Sequence, residues 1–209
     1  MTQGHGPRPA AGYAQRAATR TRLLVLACLL GCVPPSLTAA PASRDSVHAA
    51  YVINFVRYAK WPPQALDQGR LVLVVVGPTA AASTLRELAA RAGPVDGRPV
   101  LVRGLSVNRG APARADALRL LAPALERAHL VYVAESHRAW NAAVVQAAAG
   151  RPVLTVGVGG DFIRSGGMLA LFEDRGRVSF SANPEAIRRA PVDLSARVMV
   201  LARPLGPED

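Results

Sequence analysis

The chain has 209 residues, half of them hydrophobic, with 25 basic and 14 acidic side chains for a formal net charge of +11. That composition suits one domain with a substantial core. The longest apolar run, Leu23 to Val33, is too short to cross a bilayer, and it holds both cysteines, Cys28 and Cys32, so the sequence beyond it has no disulfide to form.

Arg16, Arg20 and Arg22 stand just before that run, and Ala40-Pro41-Ala42 follows it as an A-x-A cleavage site. Together these read as a signal peptide over residues 1–42, with the domain proper at 43–209 and export to the periplasm. The stretch before Arg16 is consistent with an over-called translation start. Leu29-Leu30-Gly31-Cys32 resembles a lipobox in which Cys32 would become a lipidated N-terminus; the alternative is that Cys32 is one more apolar residue of the leader. With Arg8, Arg16, Arg20 and Arg22 removed, 21 basic and 14 acidic residues remain, a net charge of +7. Export sets nucleic acid aside as a partner, and the scatter of the charges favours a solvated surface.

In the exported part, Ser46 caps a helix from Val47 to Lys60 that is apolar around most of its circumference. Such a helix is either deeply buried or partly a docking surface. Trp61-Pro62-Pro63 ends it, and Tyr58 and Trp61 are placed evenly between core and contact. Leu71 to Val76 is a continuous apolar strand of the kind buried on both faces of a parallel sheet. A helix from Thr79 to Arg91 follows, then a strand nearer an edge from Arg98 to Val102. Next come a helix from Asp116 to Arg127, a strand from His129 to Val133, and a helix capped by Ser136 and running to Ala149.

Val153 to Val156 is the next strand, and Gly157-Val158-Gly159-Gly160 bends the chain before Asp161, an N-cap for Phe162-Ile163-Arg164. Met168 to Phe172 and Arg177 to Ser181 form a hairpin across a four-residue loop, Glu173 to Gly176. Asn183-Pro184 caps and starts a helix. Ala186 to Arg203 closes the chain as a helix interrupted near Pro191, with Leu194, Val198 and Leu201 inward. The alternation of strand and helix predicts a single-domain α/β sandwich with a mostly parallel sheet and a C-terminal antiparallel hairpin.

Several clusters invite chemistry and do not sustain it. Gly159-Gly160-Asp161-Phe162 approaches the signature loop of diguanylate cyclases but lacks the second acidic residue, and export removes the GTP. Its glycines fit neither dinucleotide nor P-loop spacing. The loop sits at the carboxyl end of a parallel strand, so a small-molecule site at these four residues stands beside plain turn geometry. Glu135-Ser136-His137 has no nucleophile elbow, and His48, His129 and His137 have no metal-ligand spacing. No catalytic residue, metal or cofactor is expected. Arg175, Arg177, Arg188, Arg189 and Arg197 give the last third a basic bias; solvated arginine is one reading, pairing with partner carboxylates the other.

The run Ala50-Tyr51-Val52-Ile53-Asn54-Phe55-Val56-Arg57-Tyr58-Ala59-Lys60-Trp61-Pro62 resembles the opening helix of the YfiR family. Gly166-Gly167-Met168-Leu169, Gly176-Arg177-Val178, Phe180 and Asn183, then Ala186-Ile187-Arg188-Arg189-Ala190 and Leu194 to Ala202, resemble its C-terminal half. The resemblance implies a periplasmic repressor that binds the periplasmic domain of an inner-membrane diguanylate cyclase, lowering cyclic-di-GMP and restraining biofilm formation. Tyr58, Trp61, Arg175, Arg188, Arg189 and Arg197 are then the candidate contacts. Disulfide-based redox control is associated with the family, and a domain without cysteine departs from it. An outer-membrane lipoprotein, a small ligand or rearrangement of a homodimer would have to carry the signal. The alternative is a periplasmic small-molecule-binding domain serving a sensor kinase or transporter.

Overall fold

The computed structural model describes residues 43–204 together with the first two residues, and residues 43–204 belong to one compact unit. The expectations for residues 1–42, including cleavage after Ala42 and lipidation of Cys32, lie outside the described residues. Among the described residues no helix is long and apolar enough to cross a membrane.

Helix α1 (Arg44–Tyr58) begins three residues earlier than expected, because Ser43 rather than Ser46 caps it: the Ser43 hydroxyl accepts from the Ser46 amide at 3.2 Å. It also stops before Lys60, since β1 (Ala59–Lys60) leaves the helix to pair antiparallel with β8 (Asp193–Leu194). Then come β2 (Leu71–Val76), α2 (Thr79–Ala92), β3 (Val100–Leu105), α3 (Arg114–Leu125) and β4 (Leu130–Val133). Behind β4 a 3-10 turn, Glu135–Trp140, runs straight into α4 (Asn141–Ala148). Ser136 is therefore not an N-cap; its hydroxyl lies 2.9 Å from His137 Nδ1.

The second half comprises β5 (Leu154–Val158), α5 (Gly160–Arg164), β6 (Leu169–Asp174), β7 (Arg177–Ala182), α6 (Pro184–Arg189), β8 and α7 (Ala196–Leu201). The hairpin loop is tighter than the expected four residues. Asp174 pairs with Arg177, leaving Arg175 and Gly176 as a two-residue turn with φ of 51° and 75°, the left-handed pair a type I′ turn needs. The long C-terminal helix is corrected to α6, β8 and α7, because Pro191 and the pairing of β8 with β1 interrupt it. Val198 is buried as expected, Leu194 is half-buried, and Leu201 faces out.

The main sheet has six strands in the order β3-β2-β4-β5-β6-β7, parallel except for the β6–β7 hairpin. All six residues of β2 are buried because both faces are covered. Leu71, Leu73 and Val75 pack with α1 and α2, while Val72, Val74 and Val76 pack with α3 and α4. The wide apolar girth of α1 is spent mainly inside this structure, since Val52, Ile53, Phe55 and Val56 are all core. On its flank Phe55 meets Phe180 edge-on at 5.1 Å, and the Tyr51 hydroxyl donates to the Val178 carbonyl at 2.9 Å, which fastens α1 to β7.

Candidate functional site

The strand order reverses at β2: the chain leaves it through α2 to β3 on one side, then through α3 to β4 on the other. In open α/β sheets the carboxyl ends of the two strands flanking such a switch point frame a ligand crevice, because the two crossover connections diverge there. A cavity of about 340 Å³ lies at this place, lined by Asp45, Ala49, Pro78, Leu85, Tyr132 and Glu135, with Ala81, Ala134 and Ser136 beside them. Its walls come from α1, from α2 and from the turns after β2 and β4.

Tyr132 lines this cavity, and its buried hydroxyl lies 3.3 Å from Nδ1 of the buried His48 behind it. Burial lowers the pKa of His48, against the opposing pull of Glu135 and Asp45. Burial also raises that of Tyr132, so both rings are held uncharged at neutral pH. Next to Asp45 in the chain, Arg44 donates to Glu173 at 2.6 Å and approaches Glu135 to 3.9 Å. Sequence reasoning did not assemble this site. Glu135 and Ser136 behind an apolar strand were a visible signal, but their meeting with Asp45 and His48 depends on where α1 lies across the sheet.

At the other end of α1 the structure takes the core alternative for Trp61. The ring is 7% exposed, its Nε1 donates to the His129 carbonyl at 2.9 Å, and it meets the His129 ring edge-on at 5.5 Å. His129 Nδ1 accepts from the Val72 amide at 3.0 Å, so its Nε2 carries the proton and donates to the Ala65 carbonyl at 2.8 Å. Burial depresses the pKa of His129, and protonation would break the Val72 bond.

A pH dependence follows. His48 and His129 have folded pKa values below their ordinary 6.5. The unfolded chain therefore binds more protons in that window, and stability falls as pH drops below about 6.5 toward the depressed folded values. The Asp161–Arg164 pair, which lowers the Asp161 pKa, is lost only below the usual carboxylate range and leaves the window clear. The denaturation midpoint should decline between pH 7 and 5; a flat profile would contradict the neutral buried histidines.

The glycine loop has a packing explanation. Phe162 is fully buried, and a Cβ placed on Gly157 or on Gly167 would lie 2.2 Å from its ring. The two glycines are the walls of a slot for that ring. The N-cap of α5 is Gly159, at φ 78°, rather than Asp161, which sits inside the helix and pairs with Arg164 at 2.7 Å. Gly160 is buried, whereas Asp161 borders an open cleft of about 520 Å³ with Arg138, Asn141 and Arg164. Of the four loop residues considered for a ligand, Asp161 lines this cleft, and Phe162 belongs to the core.

The candidate docking residues scatter. Arg175 is at the hairpin tip, Arg188 and Arg189 are on α6 with Arg189 paired to Glu185, and Arg197 is on α7. Tyr58 is 42% exposed and accepts the Ser195 amide on its carbonyl at 2.9 Å, which puts it beside the start of α7. On α7, Arg197, Val200 and Leu201 share one outward face by their i, i+3, i+4 spacing, and Val200 and Leu201 are 83% and 68% exposed. Tyr58 and Arg197 thus lie on neighbouring segments, and Arg197 shares its face of α7 with Val200, which sequence reasoning had not singled out, and with Leu201, which it had placed inward. Among the described residues no group of three His, Cys, Asp or Glu could hold a metal ion.

A family model described as YfiR/HmsC-like matches residues 45–203. Among solved structures, one titled a conserved domain protein from Vibrio cholerae aligns at 15% identity with a TM-score of 0.48, covering 77% of this chain and 59% of that one. The chain thus spans about three fifths of that protein's length. No curated protein matches. The family match runs from the first turn of α1 to just beyond α7, across the whole sandwich. The chain belongs to the YfiR/HmsC-like family, a regulatory, non-catalytic family of periplasmic proteins in cyclic-di-GMP signalling.

Proposed function

We propose that this protein restrains an inner-membrane diguanylate cyclase by docking on its periplasmic domain through the face formed by Tyr58, Arg197, Val200 and Leu201. The observation that carries the reading is the exposure of Val200 and Leu201 on a helix whose inward residue, Val198, is fully packed. Two aliphatic side chains left in water beside a half-exposed tyrosine fit the apolar centre of an interface. Lys60 and Arg197 make no ion pair among the described residues and suit a rim facing acidic side chains. Restraint requires tighter binding to the inactive cyclase than to the active one, since only differential affinity shifts an equilibrium.

The test is titration of the processed protein with the periplasmic domain of the cyclase. Leu201→Glu buries a charge in the apolar centre and should weaken binding by about 2 kcal/mol or more, some thirtyfold, with the melting temperature unchanged because Leu201 is outside the core. Undiminished binding by Leu201→Glu would reject this face.

A further inference from the structure

We propose that the crevice at the β2/β4 switch point is a binding site for a small organic cation, an ammonium or guanidinium head carrying a compact apolar body. Three independent features converge on that chemistry. The first is position: the cavity opens where the topology separates two connections, with no side chain needed to hollow it out.

The second is its wall. Ala49, Pro78, Ala81 and Leu85 supply a lining of short aliphatic groups, and Gly77, just before Pro78, lets the two turns close together. A Cβ there would lie 2.6 Å from that of Ala134. An apolar body of a few carbons, or one ring, fits within 340 Å³.

The third is charge. Asp45 and Glu135 stand at the mouth, and the cation nearest to them, Arg44, is engaged mainly with Glu173. With Arg44 paired to Glu173, the two lining carboxylates, Asp45 and Glu135, make a local excess of negative charge on a domain whose net charge is positive. That sign repels carboxylates and phosphates and attracts cations. Between charge and wall, Tyr132 lines the cavity, its hydroxyl held in place by His48.

The inference does not rest on docking: the crevice is at the carboxyl ends of the strands and Tyr58 is at the far end of α1. The experiment is an amide-resolved NMR titration of the processed chain with benzylamine, with benzyl alcohol and sodium benzoate in parallel. Benzylamine should give saturable shifts confined to the amides around Ala49, Ala81 and Ala134 to Ser136, and neither analogue should match them. Glu135→Gln, a surface change that leaves the core untouched, should weaken benzylamine about tenfold, the loss of one charge-assisted contact. Ala81→Leu, which narrows the cavity, should weaken it independently of charge. Equal shifts from benzoate, absence of saturable shifts from benzylamine, or a Glu135→Gln protein that binds as before would each overturn the assignment.

Discussion

Replacing Trp61 by alanine should cost about 3–5 kcal/mol of stability, the range for emptying a buried aromatic site. The ring fills core between α1 and the amino ends of β2 and β4, and its Nε1 bond to the His129 carbonyl is also lost. His129 in turn holds Val72 and Ala65, so the substitution loosens the attachment of the segment after α1 as well as leaving a void. Any loss of repression by Trp61→Ala should therefore follow its thermal or chemical denaturation midpoint. A protein with unchanged midpoint would show that Trp61 is not core. Trp61→Phe separates the two contributions: it keeps most of the volume and drops only the indole donor, and because the His129 carbonyl still accepts from the Leu154 amide at 2.9 Å it should cost about 1 kcal/mol, the net worth of one hydrogen bond.

Gly167→Ala should also destabilise the domain markedly, although it adds a single methyl. The added Cβ would lie 2.2 Å from the Phe162 ring and 2.8 Å from the Phe162 carbonyl oxygen. The side chain cannot turn away freely, because Gly157 flanks the same ring at an equal distance. Overpacking of this kind typically costs about 1–3 kcal/mol, and Phe162→Ala about 3–5 kcal/mol. The pair Gly167→Ala with Phe162→Leu makes a sharper check: the smaller side chain should recover part of the loss, so the two changes are not additive. Additive losses in denaturant titrations would contradict the slot.

The parallel core was legible in the sequence because burial on both faces leaves an unmistakable mark: Leu71 to Val76 has no polar residue to place in water. Turn chemistry was legible where a glycine stands at a left-handed position, as at Gly176. What escaped depends on pairings distant in sequence. Ala59 and Lys60 continue a helical pattern, and only the arrival of Asp193 and Leu194 makes them a strand. Ser43 and Ser46 are equally good caps by residue type, and the choice falls to the one preceding the first turn. The Gly157–Gly160 bend admitted a ligand loop beside plain turn geometry because glycine leaves room, and sequence does not say for what; the occupant is Phe162. The crevice was the least legible of all, since Asp45 and Glu135 lie ninety positions apart in sequence.

Regulation by docking can be read directly from cellular cyclic-di-GMP in a strain lacking this gene, complemented with the natural chain or with Val200→Glu/Leu201→Glu. Both proteins should accumulate in the periplasm and melt together, because both side chains project from α7 into solvent. The natural chain should bring cyclic-di-GMP down, and the double variant should leave it at the level of the deletion. Equal lowering by the two proteins would contradict docking through α7, and no change on deletion would contradict the regulatory role itself.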